Sequence, residues 1–234
     1  MRQKIASIAQ LFCLPSLCFL CKQYHQSQAA VCEKCTELLV PLGPACYYCA
    51  LPLPDPKFLV CGQCCKKKPY LDQASAGYRF EEPLRTLVHE FKYHQGLYLC
   101  SFLANLMLQA KPVALAQTQC LLPVPMHPKR LRQRGFNQAA VLANYLGEVL
   151  TLPCELSFCE KIINTTPQAA LNGKERQQNL RGSFAVKKSK YQHVTLIDDL
   201  LTTGSTANEL ARVLKKAGVA HVDVWCCARV VKIS

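Results

Sequence analysis

The pattern of apolar and polar residues changes near residue 70, and from there segments with strand and helix character alternate along the chain. Apolar or alternating runs that predict strands lie at 73–80, 120–124, 155–163, 193–198 and 221–231. Apolar residues at helical spacing predict helices at 83–94, 97–108, 138–150 and 207–217. The order strand, helix, strand at the end of the chain is typical of a βαβ unit with a parallel sheet, so we expect an α/β fold.

Composition and charge restrict the class of protein. Half of the 234 residues are apolar and 18% are charged, which excludes a disordered chain, and the length exceeds that of a disulfide-dependent miniprotein. The 28 Lys and Arg residues against 15 Asp and Glu give a net charge of +13. Such a charge predicts an anionic partner, which could be nucleic acid, polyphosphate or a membrane surface.

The apolar stretch at 5–20 is similar to a signal peptide, but Gln10 and Pro15 interrupt it and it leads directly into Cys18. No apolar stretch of the sequence has the length of a transmembrane helix. Because unpaired thiols suit a reducing compartment, we expect a cytoplasmic protein without membrane insertion.

Ten of the 16 cysteines lie between residues 13 and 65, and eight of these ten form four CxxC pairs. The pairs are Cys18/Cys21, Cys32/Cys35, Cys46/Cys49 and Cys61/Cys64. Each CxxC turn can direct two thiolates at one point, and a tetrahedral zinc ion needs two such turns. The pattern therefore favours zinc over a disulfide framework or buried thiols.

The spacing of the pairs indicates how they would share the metal. The gaps inside consecutive couples of pairs are ten and eleven residues, and this regularity favours two four-cysteine sites in series. Interleaved pairing, first with third and second with fourth, is the alternative, and Cys65 is an alternative ligand beside Cys64. We expect a small zinc-binding domain at 1–70 and an α/β domain at 71–234.

Residues 194–206 combine a buried strand, two carboxylates and a hydroxyl-rich turn. Asp198 and Asp199 end the strand, where α/β folds bind ligands, and can accept hydrogen bonds from vicinal hydroxyls. The turn consists of Thr202, Thr203, Gly204, Ser205 and Thr206. Its hydroxyls and backbone N–H groups, at the start of a helix, can bind a phosphate. A ligand with both groups is a ribose 5-phosphate, and the sequence lacks the Walker A motif that would indicate an NTPase.

At these residues the chain resembles the type I phosphoribosyltransferases, whose signature is an apolar strand, two acidic residues, two apolar residues and TTGxT. The segment here reads VTLI, DD, LL and TTGST. The resemblance implies a Rossmann-like core with a hood and a site for phosphoribosyl pyrophosphate (PRPP). It also implies that Asp198 and Asp199 bind the ribose hydroxyls as the catalytic pair, that the turn binds the 5-phosphate, and that Mg²⁺ accompanies the pyrophosphate.

A narrower resemblance covers nearly the whole chain. It rests on the four CxxC pairs, the PRPP segment, and the motifs FKYHQG (91–96), PVPMHPKRLRQRGFNQ (123–138), TTPQAAL (165–171) and RQQNLRGSF (176–184). In these motifs the chain is similar to the ComF family of competence proteins, which includes GntX. The resemblance implies an N-terminal double zinc ribbon joined to a PRPP-type domain. It also implies a role in the uptake of single-stranded DNA beside a helicase-type partner.

One edge of the PRPP-type domain departs from the family pattern. The segment before Gln168 usually reads R-x-R-x-T in the family, and here Lys161 and Ile163 occupy the two Arg positions. Lys keeps the charge without the bidentate fork of Arg, whereas Ile removes the contact. The departure weakens a catalytic or DNA-contacting role for this edge and leaves PRPP binding unaffected.

A basic cluster follows the predicted strand at 120–124. Residues 91–147 contain six Lys and Arg residues and no carboxylate, and four of the six are Lys129, Arg130, Arg132 and Arg134. Arg130 and Arg134 lie where an α/β fold places a loop for pyrophosphate, whose oxygens match the Arg fork.

The same cations could track a nucleic-acid backbone. The candidates for this role are Lys129, Arg130, Arg132, Arg134 and, in the long polar loop at 164–182, Lys174 and Arg176. Candidate aromatic residues for base stacking are Tyr47, Tyr48, Tyr70 and Phe136, although core packing is favoured for Phe136.

Three functions remain as hypotheses. The first is a PRPP-binding protein of natural competence that handles incoming single-stranded DNA. The second is an active phosphoribosyltransferase that moves ribose 5-phosphate from PRPP to a nitrogen nucleophile. The third is a regulator that senses PRPP without catalysis.

Overall fold

The computed structural model describes residues 15–93, 96–164 and 180–231. The cysteine-rich segment contains strands β1 (Ser16–Leu17) and β2 (Tyr24–His25) and helices α1 (Glu33–Thr36) and α2 (Gly62–Lys66). The elements that follow are β3 (Gln73–Arg79), α3 (Leu84–Tyr93), α4 (Cys100–Gln109), β4 (Cys120–Pro123), α5 (Pro128–Arg134), α6 (Gln138–Leu150), β5 (Cys159–Lys161), β6 (Phe184–Val186), β7 (His193–Leu201), α7 (Ser205–Lys216) and β8 (His221–Arg229).

Four strands form the central sheet in the order β3–β8–β7–β4, and every neighbouring pair is parallel. The sequence β7–α7–β8 is the predicted βαβ unit, with Val194 opposite Val222 and Ile197 opposite Trp225. Helices cover both faces of the sheet, which explains why the two central strands are apolar on both sides. The α/β fold with a parallel sheet is therefore confirmed.

The strand predicted at 155–163 is wrong in its length, and the short strand that forms there lies outside the central sheet. Cys154 makes a single parallel bridge to Leu121 of β4, and the chain then leaves the central sheet. The departure occurs where Leu156 is 51% exposed, so no alternation of buried side chains continues the strand. Only β5 is extended within this segment, and it pairs antiparallel with β6 in a separate ribbon.

Besides the short helices α1 and α2, one helix of the α/β part was not predicted. The basic cluster forms α5, which begins with Pro128 at the first helical position and His127 as its N-cap, and ends at Gly135 with a φ of 86°. These are typical helix start and stop signals, but the helix lacks buried residues and therefore lacks the apolar period on which the prediction relied.

Two buried clusters fill the space on the two sides of the sheet. One joins α3, α4 and α6 to the sheet and contains Trp225 and Phe91. The other packs the apolar face of α7, including Leu210 and Leu214, against the sheet. Both clusters are contiguous, as expected for a three-layer α/β domain.

The cysteine-rich segment packs into these same clusters. Val31 and Cys35 belong to the first cluster, and Leu42 and Ala50 belong to the second. The segment therefore contacts both faces of the sheet, and the boundary near residue 70 stays a prediction. Among the residues that the structure describes, no helix combines the length and the apolar character needed to span a bilayer.

The backbone between the two halves of the segment runs along the edge strand β3. The N–H of Leu42 donates to the carbonyl of Gly77, and the N–H of Arg79 donates to the carbonyl of Val40, both at 2.9 Å. These bonds occupy backbone groups that an edge strand otherwise leaves unpaired.

Candidate functional site

Two adjacent carboxylates lie near the carboxyl end of β7. Asp199 is 5% exposed and forms an ion pair with Lys92, whose Nζ lies 2.6 Å from Asp199 Oδ2. The last turn of α3 supplies Lys92, so this helix packs a cation against the strand end. Asp198 Oδ1 accepts a hydrogen bond from the N–H of Asp199 at 2.9 Å.

The negative charge of the two carboxyl groups is only partly neutralised by Lys92. Burial and the neighbouring charge of Asp199 raise the pKa of Asp198 from 3.8 to about 8, against the opposing charge of Lys92. Burial alone would lower the pKa of Lys92, but the charge of Asp199 raises it above its ordinary value. One cation therefore faces a buried and a half-buried carboxyl group, and a further positive group would be stabilised here.

The turn after β7 has the geometry of a phosphate-binding loop. Gly204 has a φ of 74° and is the N-cap of α7, so the helix begins at Ser205, two residues before its predicted start. Thr203 Oγ1 lies 2.9 Å from Ser205 Oγ and accepts the N–H of Ser205 at 3.4 Å. Thr202 and Thr203 are exposed, so their polar groups are open to a ligand at the positive end of the helix.

Basic side chains from two other elements approach the carboxylates. Burial and the charge of Arg130 lower the pKa of Lys161 to about 8, and the charge of Asp198 acts in the opposite direction. Lys161 of β5 thus lies within electrostatic range of Arg130 of α5 and of Asp198. The Lys at the position where the family pattern has Arg therefore belongs to the candidate site, whereas Ile163 is 46% exposed.

Arg134 has a different environment from the one predicted. It lies at the end of a helix instead of in a loop, and its Nη1 donates to Gln138 Oε1 at 2.9 Å. Its guanidinium lies 4.7 Å from the ring centre of Tyr93. Gln138 Nε2 in turn donates to the carbonyl of Lys92 at 3.3 Å, so this network joins α6 to the end of α3.

The same network explains why two separate sequence motifs belong together. Phe91 and Phe136 form an edge-to-face pair with ring centres 6.0 Å apart, and Phe136 packs against the first buried cluster. Core packing of Phe136 is thus confirmed over stacking on a base. The motifs FKYHQG and RGFNQ therefore contact each other, and this contact holds Lys92 at the carboxylates.

The other predicted nucleic-acid residues divide into two groups. Lys129 and Arg132 are exposed on α5, on the outside of the candidate site. Lys174 and Arg176 lie outside the residues that the structure describes, with most of the polar loop. Near the second cysteine cluster, Tyr47 is 44% exposed and Tyr70 is 49% exposed.

The eight paired cysteines form two clusters in series. Cys18, Cys21, Cys32 and Cys35 form one, and Cys46, Cys49, Cys61 and Cys64 form the other. Within each cluster the four sulfur atoms lie within 4.8 Å of one another. The interleaved arrangement is therefore not the one adopted, and Cys65 is exposed beside the second cluster.

The two clusters repeat one local motif. The N–H of Cys32 donates to Cys18 Sγ at 3.4 Å, and the N–H of Cys61 donates to Cys46 Sγ at 3.3 Å. The residue after the second cysteine has a positive φ in both cases, 58° at Lys22 and 52° in the second cluster. The third cysteine of each cluster is the N-cap of a short helix.

The thiol pKa values within the first cluster differ widely. Burial opposes ionisation of Cys18, but the backbone N–H groups of Cys32, Cys21 and Leu20 lower its pKa to about 6. Burial and the neighbouring cysteines raise the pKa of Cys35 to about 12. A metal ion would stabilise the thiolate form of all four cysteines, and tetrahedral zinc fits the donor set of both clusters.

Arg229, at the end of β8, connects the second cluster to the phosphate-binding turn. Its side chain is buried, with Nε donating to the carbonyl of Cys49 at 2.9 Å. Its Nη1 donates to the carbonyls of Leu201, Thr202 and Val230. One guanidinium thus ties the backbone of the cysteine cluster to the start of the turn.

A cleft of about 710 Å³ lies between the second cluster and the turn. Thr203, Gly204 and Ser205 line one side, and Tyr48 and Cys49 line the other. The tether through Arg229 sets the distance between these two walls.

A second cleft, of about 560 Å³, lies below α5 and is lined by His127, Asn137 and Lys161. His127 accepts the N–H of Lys129 at 3.2 Å and so shapes the start of the basic helix.

Comparison with known proteins identifies the family. No family model matches the sequence. The chain is 32% identical to Competence protein F of Haemophilus influenzae, over 91% of this chain and 96% of that protein. It is 31% identical to DNA utilization protein YhgH of Salmonella typhimurium, over 92% of this chain and 98% of that protein. The chain belongs to the ComF family.

A more distant ComF relative has the same extent. Competence protein ComFC of Bacillus subtilis is 26% identical over 87% of this chain and 90% of that protein. The similarity thus covers the cysteine clusters and the α/β part together.

Two residues of the candidate site were not predicted from the sequence of this ComF protein. Lys92 lies in the motif FKYHQG. The sequence does not reveal its ion pair with Asp199, because the two residues are far apart along the chain. Arg229 stood at the end of an apolar strand, where its charge was the only indication of a special role. A buried strand that ends on Arg indicates a partner for that charge.

The raised pKa of Asp198 predicts how stability depends on pH. Because the folded-state pKa lies above the ordinary 3.8, this group favours the fold below pH 4 and loses that contribution as pH rises through about 8. We expect the stability advantage of Asp198→Asn over the wild type to increase from pH 5 to pH 9, because the wild type loses this contribution over that range. The gain in unfolding free energy should be at least about 1.4 kcal/mol, the equivalent of one pKa unit. Urea unfolding at both pH values measures this, with Glu148→Gln as control. An advantage that stays the same at both pH values would contradict it.

The tether through Arg229 predicts an effect on one zinc cluster only. Zn²⁺ on four thiolates carries +2 − 4 = −2, and Arg229 is the cation that contacts the second cluster through Cys49. In Arg229→Lys the charge remains, but the fork that reaches three segments is lost. We expect zinc affinity of the second cluster to fall about 10–100-fold, the usual effect of losing an outer partner. Competition with a chelator measures it.

The first cluster is the internal control, and Arg85→Lys at the surface is the matched variant. If both clusters weakened equally, the effect would be general destabilisation, and the specific link between Arg229 and the second cluster would be refuted.

Proposed function

We propose that this ComF protein binds PRPP at the carboxyl end of its central sheet and acts in natural competence, handling incoming single-stranded DNA in the cytoplasm. The observation that carries the proposal is the position of Asp198 and Asp199 directly before the turn at 202–206. Carboxylates for ribose hydroxyls and an N-terminal helix turn for a phosphate are thereby adjacent on one strand end.

The cations around the carboxyl pair support the pyrophosphate part of this proposal. Lys92 and Lys161 come from two different elements and lie near the carboxyl pair, and Arg130 of a third element lies within electrostatic range of Lys161. Because burial disfavours the charged form of Asp198, a divalent cation bound with pyrophosphate would stabilise it. Mg²⁺ is the ion that the phosphoribosyltransferase resemblance supplies for this role, and Asp198 and Asp199 are its available carboxylates.

The competence role is supported by the relatives. One is named Competence protein F and another DNA utilization protein, and both align over nearly their whole length. The exposed cations Lys129 and Arg132 lie outside the carboxylate site and would contact phosphates of a strand passing over α5. A helicase-type partner belongs to the same proposal through the family resemblance.

Phosphoribosyl transfer is the second candidate function. The buried carboxyl pair would stabilise positive charge that develops on the ribose as its bond to pyrophosphate breaks and a nitrogen nucleophile bonds to the same carbon. The feature that favours it is the ion pair of Asp199 with Lys92, which fixes one carboxylate of the pair. A PRPP sensor without transfer is the third candidate.

Binding of PRPP is expected to stabilise the protein. With Mg²⁺, PRPP should raise the Tm of the wild type, and the shift should vanish in Asp198→Asn/Asp199→Asn because the ribose hydroxyls lose both acceptors. Glu148→Gln on α6 is the matched control and should keep the full shift. An equal shift in the double variant would disprove the ribose site.

The same samples distinguish transfer from binding alone. Pyrophosphate released with a panel of bases and amines supports the transferase, whereas binding without release throughout supports the competence or sensor role.

Binding of single-stranded DNA is expected to depend steeply on salt. In Lys129→Ala/Arg132→Ala, the slope of log K against log salt should become shallower by about 1.4, because two phosphate contacts are lost at about 0.7 each. Fluorescence anisotropy over a salt series measures it. Lys188→Ala/Lys216→Ala removes two exposed cations elsewhere and should leave the slope unchanged. A salt-independent affinity of the wild type would refute the DNA contact.

A further inference from the structure

A second group of ligand side chains lies at the opposite end of the central sheet. His193 begins β7 and His221 begins β8, and the two are direct partners in the register of these parallel strands. Asp223 follows His221 by two residues, so the alternation of side chains puts it on the same face. Neither the PRPP site nor the cysteine clusters use these residues.

The three side chains converge on one point. His193 Nε2 lies 2.7 Å from Asp223 Oδ2, and His221 Nε2 lies 3.0 Å from Asp223 Oδ1. The three ligand atoms lie within 4.8 Å of one another. A tetrahedral zinc ion with bonds of about 2.0–2.1 Å separates its ligand atoms by about 3.3 Å, so small rotations of these side chains would accommodate it.

The charge of the group calls for a cation. Asp223 is 3% exposed, and within the described part of the chain its ion-pair contacts within 4.0 Å are the two histidines. When both imidazoles are neutral, the negative charge of the buried Asp223 carboxylate is not neutralised, and this costs free energy. A divalent metal ion would neutralise the carboxylate and use the ring nitrogens as ligands.

An outer carboxylate lies beside one of the rings. Asp72 Oδ2 lies 3.9 Å from His221 Nδ1, on the side of the ring away from Asp223. Asp72 is itself fixed by Lys215 Nζ at 2.7 Å and by the N–H of Val222 at 2.9 Å. A carboxylate behind a ligating histidine is a recurring feature of protein metal sites.

We propose that His193, His221 and Asp223 form a third metal site, for a divalent first-row transition metal such as zinc. Six residues of extended strand separate His193 from Asp199, about 20 Å at 3.3 Å per residue, so this site is distinct from the carboxylates of the PRPP site. Two imidazoles and one carboxylate leave a coordination position for water or an external anion, because the His221 side chain is 40% exposed. The metal would also join the amino ends of the two central strands.

Cobalt is the probe that separates this site from the cysteine clusters. Added to zinc-loaded full-length protein, Co²⁺ should bind as one further equivalent, with visible d–d absorption and without the thiolate charge-transfer bands of cobalt on cysteine. Equilibrium dialysis with metal analysis gives the stoichiometry and the Kd.

His221→Gln should weaken the Kd of the additional equivalent at least tenfold, and Asp72→Asn should weaken it about 10–100-fold. His89→Gln, an exposed histidine on α3, is the matched control and should bind as the wild type does. His221 is partly exposed, so its variant should fold, and its Tm without added cobalt checks this.

Three results would overturn the site: no additional equivalent in the wild type, unchanged affinity in His221→Gln, or absorption with thiolate bands. None of these results bears on PRPP binding, which depends on the other end of the sheet.

Discussion

The buried guanidinium of Arg229 is the contact on which the relation between the two parts of this protein depends. It donates to the carbonyl of Cys49 on one side and to those of Leu201 and Thr202 on the other. A buried cation of this kind is stable only while its acceptors stay in place. The cysteine cluster and the phosphate-binding turn therefore keep one relative position, and each contributes to the geometry of the other. A change that displaces the cluster would therefore disturb the turn as well.

The candidate site shows the opposite kind of constraint, because its charges are incompletely balanced. A buried and a half-buried carboxyl group lie side by side, and Lys92 pairs with only one of them. Such a site is poorly suited to stability and well suited to a ligand that brings positive charge together with hydroxyl donors. The aromatic contact between Phe91 and Phe136 fixes the end of α3 against the start of α6. This contact offsets the free-energy cost of holding Lys92 at the carboxylates.

Features formed by residues that are close together along the chain could be predicted from the sequence. The carboxylate pair, the hydroxyl-rich turn at 202–206 and the serial grouping of the cysteines are each encoded within a few tens of residues. The ion pair of Lys92, the tether of Arg229 and the histidine group at the far end of the sheet were not predicted, because each depends on which strands become neighbours. The prediction of a strand over 155–163 was wrong in its length for a related reason. Local apolar content does not reveal that the chain leaves the central sheet after Cys154.

The path of residues 40–47 along β3 also protects the sheet against pairing with another copy of the protein. Hydrogen bonds from Leu42 and to Val40, and one from Ala74 to the carbonyl of Tyr47, seal the outer edge of the parallel sheet. An unsealed edge of this kind is a template for pairing with another copy. A change that displaces this segment would therefore expose the edge of the sheet and favour self-association.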